Sequence, residues 1–200
     1  MAGVVWDLGN VLLEWEPFAA VAAGVGESEA RRFFAGFDFD AWNHRCDAGL
    51  PWEDALAQLE RDHPEWAPHG HAYYENFAAS LTGEVPGTVD LLRDLHDAGL
   101  PQCGLTNWSD ELFHTHALQR FPFLGLLDDV VVSGTEGVAK PEGRIYAIAA
   151  ERCGLPLASL AFVDDKLANV EGAAALGMVG VHFSDAATLR ADLRALGLPV

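Results

Sequence analysis

Four short segments, far apart in the chain, carry polar residues whose types complement one another for phosphoryl transfer. Three of the segments follow a short apolar run, which predicts that they lie where strands of an open parallel sheet end. Sheets of this kind bind ligands at the carboxyl edge, so we expect the segments to meet there. They contain Asp7 after Val4-Val5-Trp6, Thr106-Asn107 after Gly104-Leu105, Lys140-Pro141, and Asp164-Asp165 after Ala161-Phe162-Val163.

Each of the first three segments has a chemical interpretation and an ordinary alternative. The carboxylate of Asp7 can attack phosphorus and form an acyl phosphate, or it can simply open a turn. The hydroxyl of Thr106 and the backbone N–H of Asn107 can hold phosphate oxygens, or form a polar turn before a helix that Ser109 caps. Lys140 can neutralise a phosphate and its nucleophile, or be a solvated loop lysine.

The tandem carboxylates Asp164 and Asp165 are the sharpest local signal. Two adjacent carboxylates behind a buried strand repel each other and need compensation, unless they form an exposed acidic turn. If Asp7 lies beside them, the three carboxylates carry three negative charges. Lys140 contributes one positive charge, which leaves a net charge of about −2. A bound Mg²⁺, which prefers carboxylate, water and phosphate oxygens, balances the remainder. The sequence therefore predicts a magnesium site among these side chains.

The elements that must position these residues alternate between strand and helix after Pro86. Strands are expected at 3–7, 102–105, 130–132, 160–163 and 179–182, with helices between them, one ending at Gly99 and one with Pro141 in its first turn. From Glu14 to Gly83 no strand is expected, and apolar residues recur at helical spacing, for example Trp52, Leu56 and Leu59. The pattern predicts an α/β fold, a Rossmann-like doubly wound parallel sheet (1–13 and 84–200) with an inserted all-helical cap (14–83).

Composition limits the partners. The 200-residue chain has a formal net charge of −18, which argues against nucleic acid and anionic membranes as partners because both would be repelled. The three cysteines lack a CxxC spacing, so we expect no disulfide framework and a cytoplasmic protein. The chain also has no basic leader and no long apolar run. Any attraction for an anionic substrate must then be local.

The complete set resembles the haloacid dehalogenase-like hydrolase superfamily, specifically its phosphatases with a helical cap inserted after the first strand. Asp7, Thr106, Lys140 and the Asp164-Asp165 pair match over nearly the whole chain, and the Asp-Leu-Gly-Asn opening resembles that of sugar-phosphate phosphatases. The resemblance implies a Mg²⁺-dependent phosphatase of a small phosphomonoester, a monomer or homodimer.

The same resemblance assigns roles to individual residues. Asp7, Thr106, Lys140 and Asp164 would be catalytic, with Thr106, Asn107 and Lys140 also binding the substrate's phosphate. The metal would be held by Asp7, by the backbone carbonyl of Gly9 and by Asp165, with Asp164 supporting Lys140 or a metal-bound water. Asn169, one helical turn beyond Asp165, would belong to the surroundings of the metal.

One position departs from the family pattern. The phosphatases carry a second aspartate two residues after the nucleophile, which protonates the leaving oxygen and activates water, but this chain has Gly9 there. The proton must then come from elsewhere, or the leaving group must need little help. Residues 42–47 form a polar and aromatic cluster in the cap that can contribute to this role, or that is only a helix surface with a packed tryptophan. His44 and Arg45 of this cluster are expected to reach the substrate. The departure also admits two alternatives: a metal-independent 2-haloacid dehalogenase with Asp7 as nucleophile, or a catalytically weak module that binds phosphorylated metabolites.

Overall fold

Seven strands, eleven α-helices and three short 3₁₀ helices make up the computed structural model, which describes residues 1–200. The strands are β1 (Gly3–Trp6), β2 (Leu13–Trp15), β3 (Leu81–Glu84), β4 (Gln102–Thr106), β5 (Asp129–Val132), β6 (Leu160–Asp164) and β7 (Val179–His182). The helices are α1 (Pro17–Val25), α2 (Glu27–Gly36), α3 (Phe39–Asp47), α4 (Trp52–Asp62), α5 (Ala67–Glu75), α6 (Thr88–Asp97), α7 (Asp110–Arg120), α8 (Ser133–Glu136), α9 (Gly143–Arg152), α10 (Leu167–Ala175) and α11 (Ala186–Ala195).

The central sheet is parallel and has the order β5-β4-β1-β6-β7. Its middle strand β1 pairs with β4 on one side and β6 on the other, so that Val5 lies between Cys103 and Phe162. All three strands are completely buried, as expected for apolar runs covered by helices on both faces. The predicted α/β fold class is confirmed. This order brings the carboxyl ends of β1, β4 and β6 next to one another.

A small antiparallel ribbon was not expected. Strands β2 and β3 pair with each other, with Leu13 opposite Glu84 and Glu14 opposite Gly83. The expectation that no strand lies between residues 14 and 83 is therefore wrong at both ends of that stretch. The ribbon joins the two points where the chain leaves and re-enters the sheet region, and it thereby fixes the base of the segment between them.

Helices α1 to α5 form that segment, which we call the helical insertion. It shares one hydrophobic cluster with the sheet, because Trp42 and Trp52 of the insertion belong to the same group of 40 buried residues as Val4 and Trp6. The spacing of Trp52, Leu56 and Leu59 predicted α4, and all three side chains are buried. The insertion is thus packed onto the sheet.

Two helix starts differ from the expectation. Ser109 precedes α7, but its side chain makes no cap hydrogen bond; its Oγ accepts a hydrogen bond from Nε1 of Trp52 at 2.8 Å instead. Pro141 was expected in the first turn of a helix, whereas α9 begins at Gly143. The expected stop at Gly99 is reproduced, since Gly99 has a φ of 72° just after α6.

One pair of cysteines differs from the expectation that the chain has no disulfide framework. The structure brings Cys103 and Cys153 together as a disulfide pair, with Cα atoms 6.0 Å apart, although they are 50 residues apart in sequence. The odd cysteine count did not predict this pairing, because only the packing of the chain after α9 against β4 creates it. Cys46 stays free and buried. None of the helices combines the length and the apolar composition that crossing a bilayer requires.

Candidate active site

Asp7 follows the central strand directly and is held by its own backbone. Its N–H donates to the carbonyl of Val163 on β6 at 2.8 Å, which extends the sheet by one residue. Its Oδ1 accepts a hydrogen bond from the N–H of Leu8 at 2.7 Å. Only 7% of the residue is exposed. The sheet thus fixes this carboxylate at the point where β1 ends.

Lys140 is a buried ammonium between two carboxylates. Its Nζ lies 2.8 Å from Oδ1 of Asp7 and 2.7 Å from Oδ2 of Asp164. The third N–H donates to the carbonyl of Leu105 at 2.9 Å, so all three donors of the ammonium are used. Burial acts to lower the pKa of Lys140, but Asp7 and Asp164 outweigh it and raise that pKa above its ordinary value. The side chain is therefore a fixed positive charge.

Asp164 is completely buried and fully engaged by protein donors. Its Oδ1 accepts from the backbone N–H of Lys166 at 2.8 Å, and Nδ2 of Asn169 lies 3.0 and 3.1 Å from its two oxygens. Together with Lys140, these donors satisfy both carboxylate oxygens. Asp164 therefore orients the ammonium group rather than facing the solvent.

The other two segments meet at the same edge. Thr106 is the last residue of β4 and is 2% exposed. The next side chain, Asn107, donates from Nδ2 to the carbonyl of Lys140 at 2.9 Å and accepts the N–H of Lys140 on Oδ1 at 2.8 Å. The side chain of Asn107 is thus committed to the Lys140 backbone.

Negative charge exceeds positive charge at this edge. Asp7, Asp164 and Asp165 each offer a carboxylate oxygen, and these atoms all lie within 4.8 Å of one another. Burial raises the pKa of Asp7 to about 8, with Lys140 lowering it and the other two carboxylates raising it. Burial and Asp164 likewise raise the pKa of Asp165. One ammonium does not compensate three carboxylates, so the donor set fits a hard divalent cation such as Mg²⁺.

These residues surround a cavity of about 100 Å³ between the sheet edge and the helical insertion. From the sheet side come Asp7, Gly9, Asn10, Leu13, Thr106, Asn107, Trp108, Lys140, Asp165, Lys166 and Asn169. From the β2 end and the insertion come Trp15, Asp40, Asn43, His44, Asp47, Tyr73 and Phe77. The insertion therefore supplies a wall that combines aromatic and acidic side chains.

Of the residues singled out from the sequence, only Arg45 lies away from this cavity. Its guanidinium pairs with Gln58, and it lines a separate groove on the outer side of the insertion. His44, one position earlier on α3, is exposed and lines the cavity. Asp164 lies just behind the lining, against Lys140.

Gly9 leaves space where the family's second aspartate would stand. A Cβ built on Gly9 would meet no atom within 4 Å, and the residue does not adopt a positive φ. An open position close to Asp7 thus carries no side chain that can transfer a proton.

Sequence reasoning did not single out Asp47 or Lys166, yet both line the cavity. Asp47 ends α3 and is partly buried, and burial raises the pKa of its carboxyl to about 7. The sequence did indicate that Asp47 belongs to the polar cluster at residues 42–47, and this was the only feature that could have identified it. The rotation of α3, which decides the residues that face the cavity, was not visible in the sequence.

The sequence matches one family model and is similar to several known proteins. The family model for haloacid dehalogenase-like hydrolases matches residues 1–177. A sesquiterpene phosphatase from Aspergillus oryzae is 26% identical over 192 residues, covering 96% of this chain and 94% of that protein. A glyceraldehyde 3-phosphate phosphatase from Pyrococcus abyssi is 26% identical over 121 residues, covering 60% of this chain and 50% of that protein.

Solved structures share the fold. A predicted HAD-like hydrolase from Porphyromonas gingivalis has a TM-score of 0.73 at 21% identity, covering 98% of both chains. A HAD family enzyme from Bacteroides thetaiotaomicron in complex with magnesium and inorganic phosphate has a TM-score of 0.71 at 16% identity, covering 92% of this chain and 95% of that one. An L-2-haloacid dehalogenase from Xanthobacter autotrophicus has a TM-score of 0.63 at 19% identity, covering 98% of this chain and 83% of that one.

Proposed function

We propose that this chain, which belongs to the haloacid dehalogenase-like hydrolase family, is a Mg²⁺-dependent phosphatase of small phosphomonoesters. One observation carries the proposal: the carboxylates of Asp7, Asp164 and Asp165 converge within 4.8 Å, with Lys140 in direct contact with two of them. A cluster with this excess of negative charge repels a phosphate dianion unless a cation is bound. Two curated relatives are phosphatases, which supports the same reaction.

In the proposed reaction, Asp7 attacks the phosphorus in line with the leaving oxygen and forms an aspartyl-phosphate. The hydroxyl of Thr106 and the backbone N–H of Asn107 bind oxygens of the transferring group. Lys140 neutralises its charge and keeps the carboxylate of Asp7 in position. Water then hydrolyses the acyl phosphate. Stabilisation is mainly positional and electrostatic, as expected for a loose phosphoryl-transfer transition state.

Asp7, the backbone carbonyl of Gly9 and Asp165 are the residues that would hold the magnesium ion. When bound, Mg²⁺ supplies positive charge that lets a phosphate dianion approach three carboxylates. Asp164 is engaged by Lys140, Lys166 and Asn169, so we assign it to orienting Lys140.

The helical insertion would act as a cap that excludes water from the cavity. The cavity wall formed by the insertion and the end of β2 contributes the aromatic side chains of Trp15, Tyr73 and Phe77. These side chains suit an organic group with apolar surface. One curated relative acts on sesquiterpene phosphates by name and another on glyceraldehyde 3-phosphate. The leaving group is therefore proposed to be a small alcohol, with sugar phosphates and short terpenyl phosphates as the classes to test.

The second candidate is a metal-independent 2-haloacid dehalogenase that uses Asp7 to attack carbon. Gly9 favours it, because a halide leaves without a proton and the site lacks the second aspartate. The convergence of Asp165 with Asp7 and Asp164 favours the phosphatase, because a dehalogenase without a metal has no use for the additional negative charge.

Two assays distinguish the candidates. Phosphate release is measured from a panel of sugar phosphates, glyceraldehyde 3-phosphate and a sesquiterpenyl phosphate, with Mg²⁺ and with EDTA. Halide release from 2-chloropropionate is measured in parallel. Mg²⁺-dependent phosphate release supports the proposal. Halide release that persists in EDTA, without phosphate release, would replace it with the dehalogenase.

A further inference from the structure

We propose that Asp47, at the end of α3 in the helical insertion, is the general acid and base of the reaction, taking over the role that the open position at Gly9 leaves vacant. The inference rests on the proposed phosphatase function and adds a catalytic residue to it. It places the nucleophile on the sheet and the proton donor on the insertion, so that both parts of the chain contribute to the reaction.

The position of Asp47 is fixed by contacts on both sides. Its carboxylate accepts a hydrogen bond from Nδ2 of Asn43, one helical turn earlier, at 3.0 Å. Its backbone carbonyl accepts a hydrogen bond from Oγ of Ser133, at the start of α8. These contacts attach the end of α3 to the sheet side of the cavity, so the carboxylate does not depend on a mobile loop for its placement.

The leaving group must face the insertion if Asp7 attacks from the sheet edge. In-line transfer places the leaving oxygen on the far side of phosphorus from the nucleophile. The sheet edge provides Asp7, Thr106 and Lys140, and the insertion provides the remaining wall of the same cavity. A proton donor for the leaving oxygen therefore belongs on the insertion.

Three ionisable side chains of α3 line that wall. Asp40 and His44 are exposed, whereas Asp47 is partly buried. Water competes for the proton of an exposed donor, and a site that excludes water favours the buried one. Asp47 is also the one of the three whose backbone is held by the core.

The surroundings of Asp47 adjust its proton affinity for this task. Burial raises the pKa of its carboxyl to about 7, against the lowering effects of Lys166, the backbone N–H of Ser109 and Lys140. Tyr73 on α5 lines the same cavity, and burial followed by the charge of Asp47 raises the pKa of its phenol. Asp40 and His44 on its own helix complete the charged groups of the wall. A group that titrates near neutral pH serves well as both acid and base.

The proton balance closes over the two steps. As the carboxylate of Asp7 bonds to phosphorus, the phosphorus–oxygen bond to the alcohol breaks and the carboxyl proton of Asp47 passes to the leaving oxygen. Asp47 is then a carboxylate. It removes a proton from the water that attacks the aspartyl-phosphate, which releases inorganic phosphate, regenerates Asp7 and restores the protonated Asp47.

Leaving-group dependence tests the assignment. The wild type and Asp47→Asn are assayed on an alkyl phosphate that the wild type hydrolyses and on p-nitrophenyl phosphate, whose weakly basic phenolate leaves without a proton. We expect Asp47→Asn to lower kcat/KM for the alkyl phosphate by about 10²–10⁴-fold, and for p-nitrophenyl phosphate by less than about tenfold. Melting temperatures verify that the variant is folded, and the isosteric amide still accepts from Asn43.

A second experiment places an aspartate at position 9, where the family's phosphatases carry one. Because a Cβ added at Gly9 would meet no atom within 4 Å, Gly9→Asp added to Asp47→Asn is expected to recover activity on the alkyl phosphate. Asp40→Asn and His44→Gln are controls that should leave the ratio of the two substrates unchanged. Equal losses on both substrates, or a selective loss in His44→Gln instead, would overturn the assignment. A wild type that hydrolyses neither phosphate would overturn the proposed function itself.

Discussion

The side chain of Asn107 holds the backbone of Lys140 at two points. Oδ1 of Asn107 accepts the N–H of Lys140 at 2.8 Å, and Nδ2 donates to its carbonyl at 2.9 Å. The residue after the β4 strand end therefore positions the residue whose ammonium contacts Asp7. These two hydrogen bonds hold the segment of Asn107 and the segment of Lys140 together as one rigid unit, although the two residues are 33 positions apart.

Replacing Asn107 should loosen that unit. Asn107→Ala removes both hydrogen bonds and leaves a partly buried N–H and carbonyl without partners, each costing about 1–3 kcal/mol if no water replaces the amide. We expect a fall in melting temperature of several degrees and a lower kcat, measured by thermal denaturation and phosphate release. Asn76→Ala, which removes one bond to the carbonyl of Ala72 away from the cavity, is the matched control. Equal effects of the two substitutions would contradict the role of Asn107.

Lys140→Met should lower the free energy of unfolding, because it leaves two buried carboxylates without their cation. Breaking a buried ion pair from one side typically costs about 3–5 kcal/mol. The pKa of Asp7 is about 8 in the wild type, so Asp7 keeps its proton up to that pH with or without Lys140. Without the ammonium that pKa rises further, so the deficit in unfolding free energy should be nearly constant below about pH 8 and grow above it. Urea denaturation at several pH values measures it.

Lys166→Met is the control for that experiment. Lys166 is the chain's other lysine and lines the same cavity, but it is exposed. Its substitution should cost less than about 1 kcal/mol. A loss in Lys140→Met that is no larger than this, or that does not depend on pH, would contradict the account of Lys140 as the compensating charge.

Magnesium should stabilise the folded protein. A ligand that binds only the folded state adds about 2.7 kcal/mol at a concentration 100 times its dissociation constant, so the melting temperature should rise by several degrees as Mg²⁺ is added. Asp165→Asn should abolish most of this shift, whereas Asp40→Asn, an exposed residue of the same cavity, should keep it. An equal shift in all three proteins would indicate general screening of the chain's negative charge.

Asp47 should make stability depend on pH in a defined direction. Its carboxyl has a pKa of about 7 in the folded protein against an ordinary value of 3.8. Between these values the folded state retains a proton that the unfolded state has released, so this residue's contribution to stability falls as pH rises from about 4 to 7. Asp47→Asn removes the dependence. We therefore expect the variant to gain stability relative to the wild type across this window, measured by urea denaturation; a constant difference would contradict the raised pKa.

The strand ends were predictable from the sequence for a physical reason. Central strands buried on both faces are continuous apolar runs, so Val4-Val5-Trp6 and Ala161-Phe162-Val163 indicate both the strand and the place where polar residues begin. The convergence of Asp7 with Asp164 and Asp165 then follows from neighbouring strands of one parallel sheet. The spacing of Trp52, Leu56 and Leu59 predicted α4 in the same way.

Other features depend on tertiary contacts that no local pattern encodes. Strand β2 has three residues, too few to show alternation, and its partner Leu81–Glu84 lies more than sixty residues away. His44 and Arg45 are adjacent, yet successive helix positions differ by about 100°, so one lines the cavity and the other faces outward. The packing of α3 decides the difference, and it also brings Asp47 to the cavity.

The mass of the peptide that contains Asp7, isolated by rapid acid quench during turnover of a phosphomonoester with Mg²⁺, tests the central claim most directly. The account predicts that a fraction of this peptide carries one additional phosphoryl group on Asp7, and that EDTA added before the substrate removes the signal. Turnover with an unmodified Asp7 and the phosphoryl group on another residue, or undiminished turnover by Asp7→Asn, would contradict it.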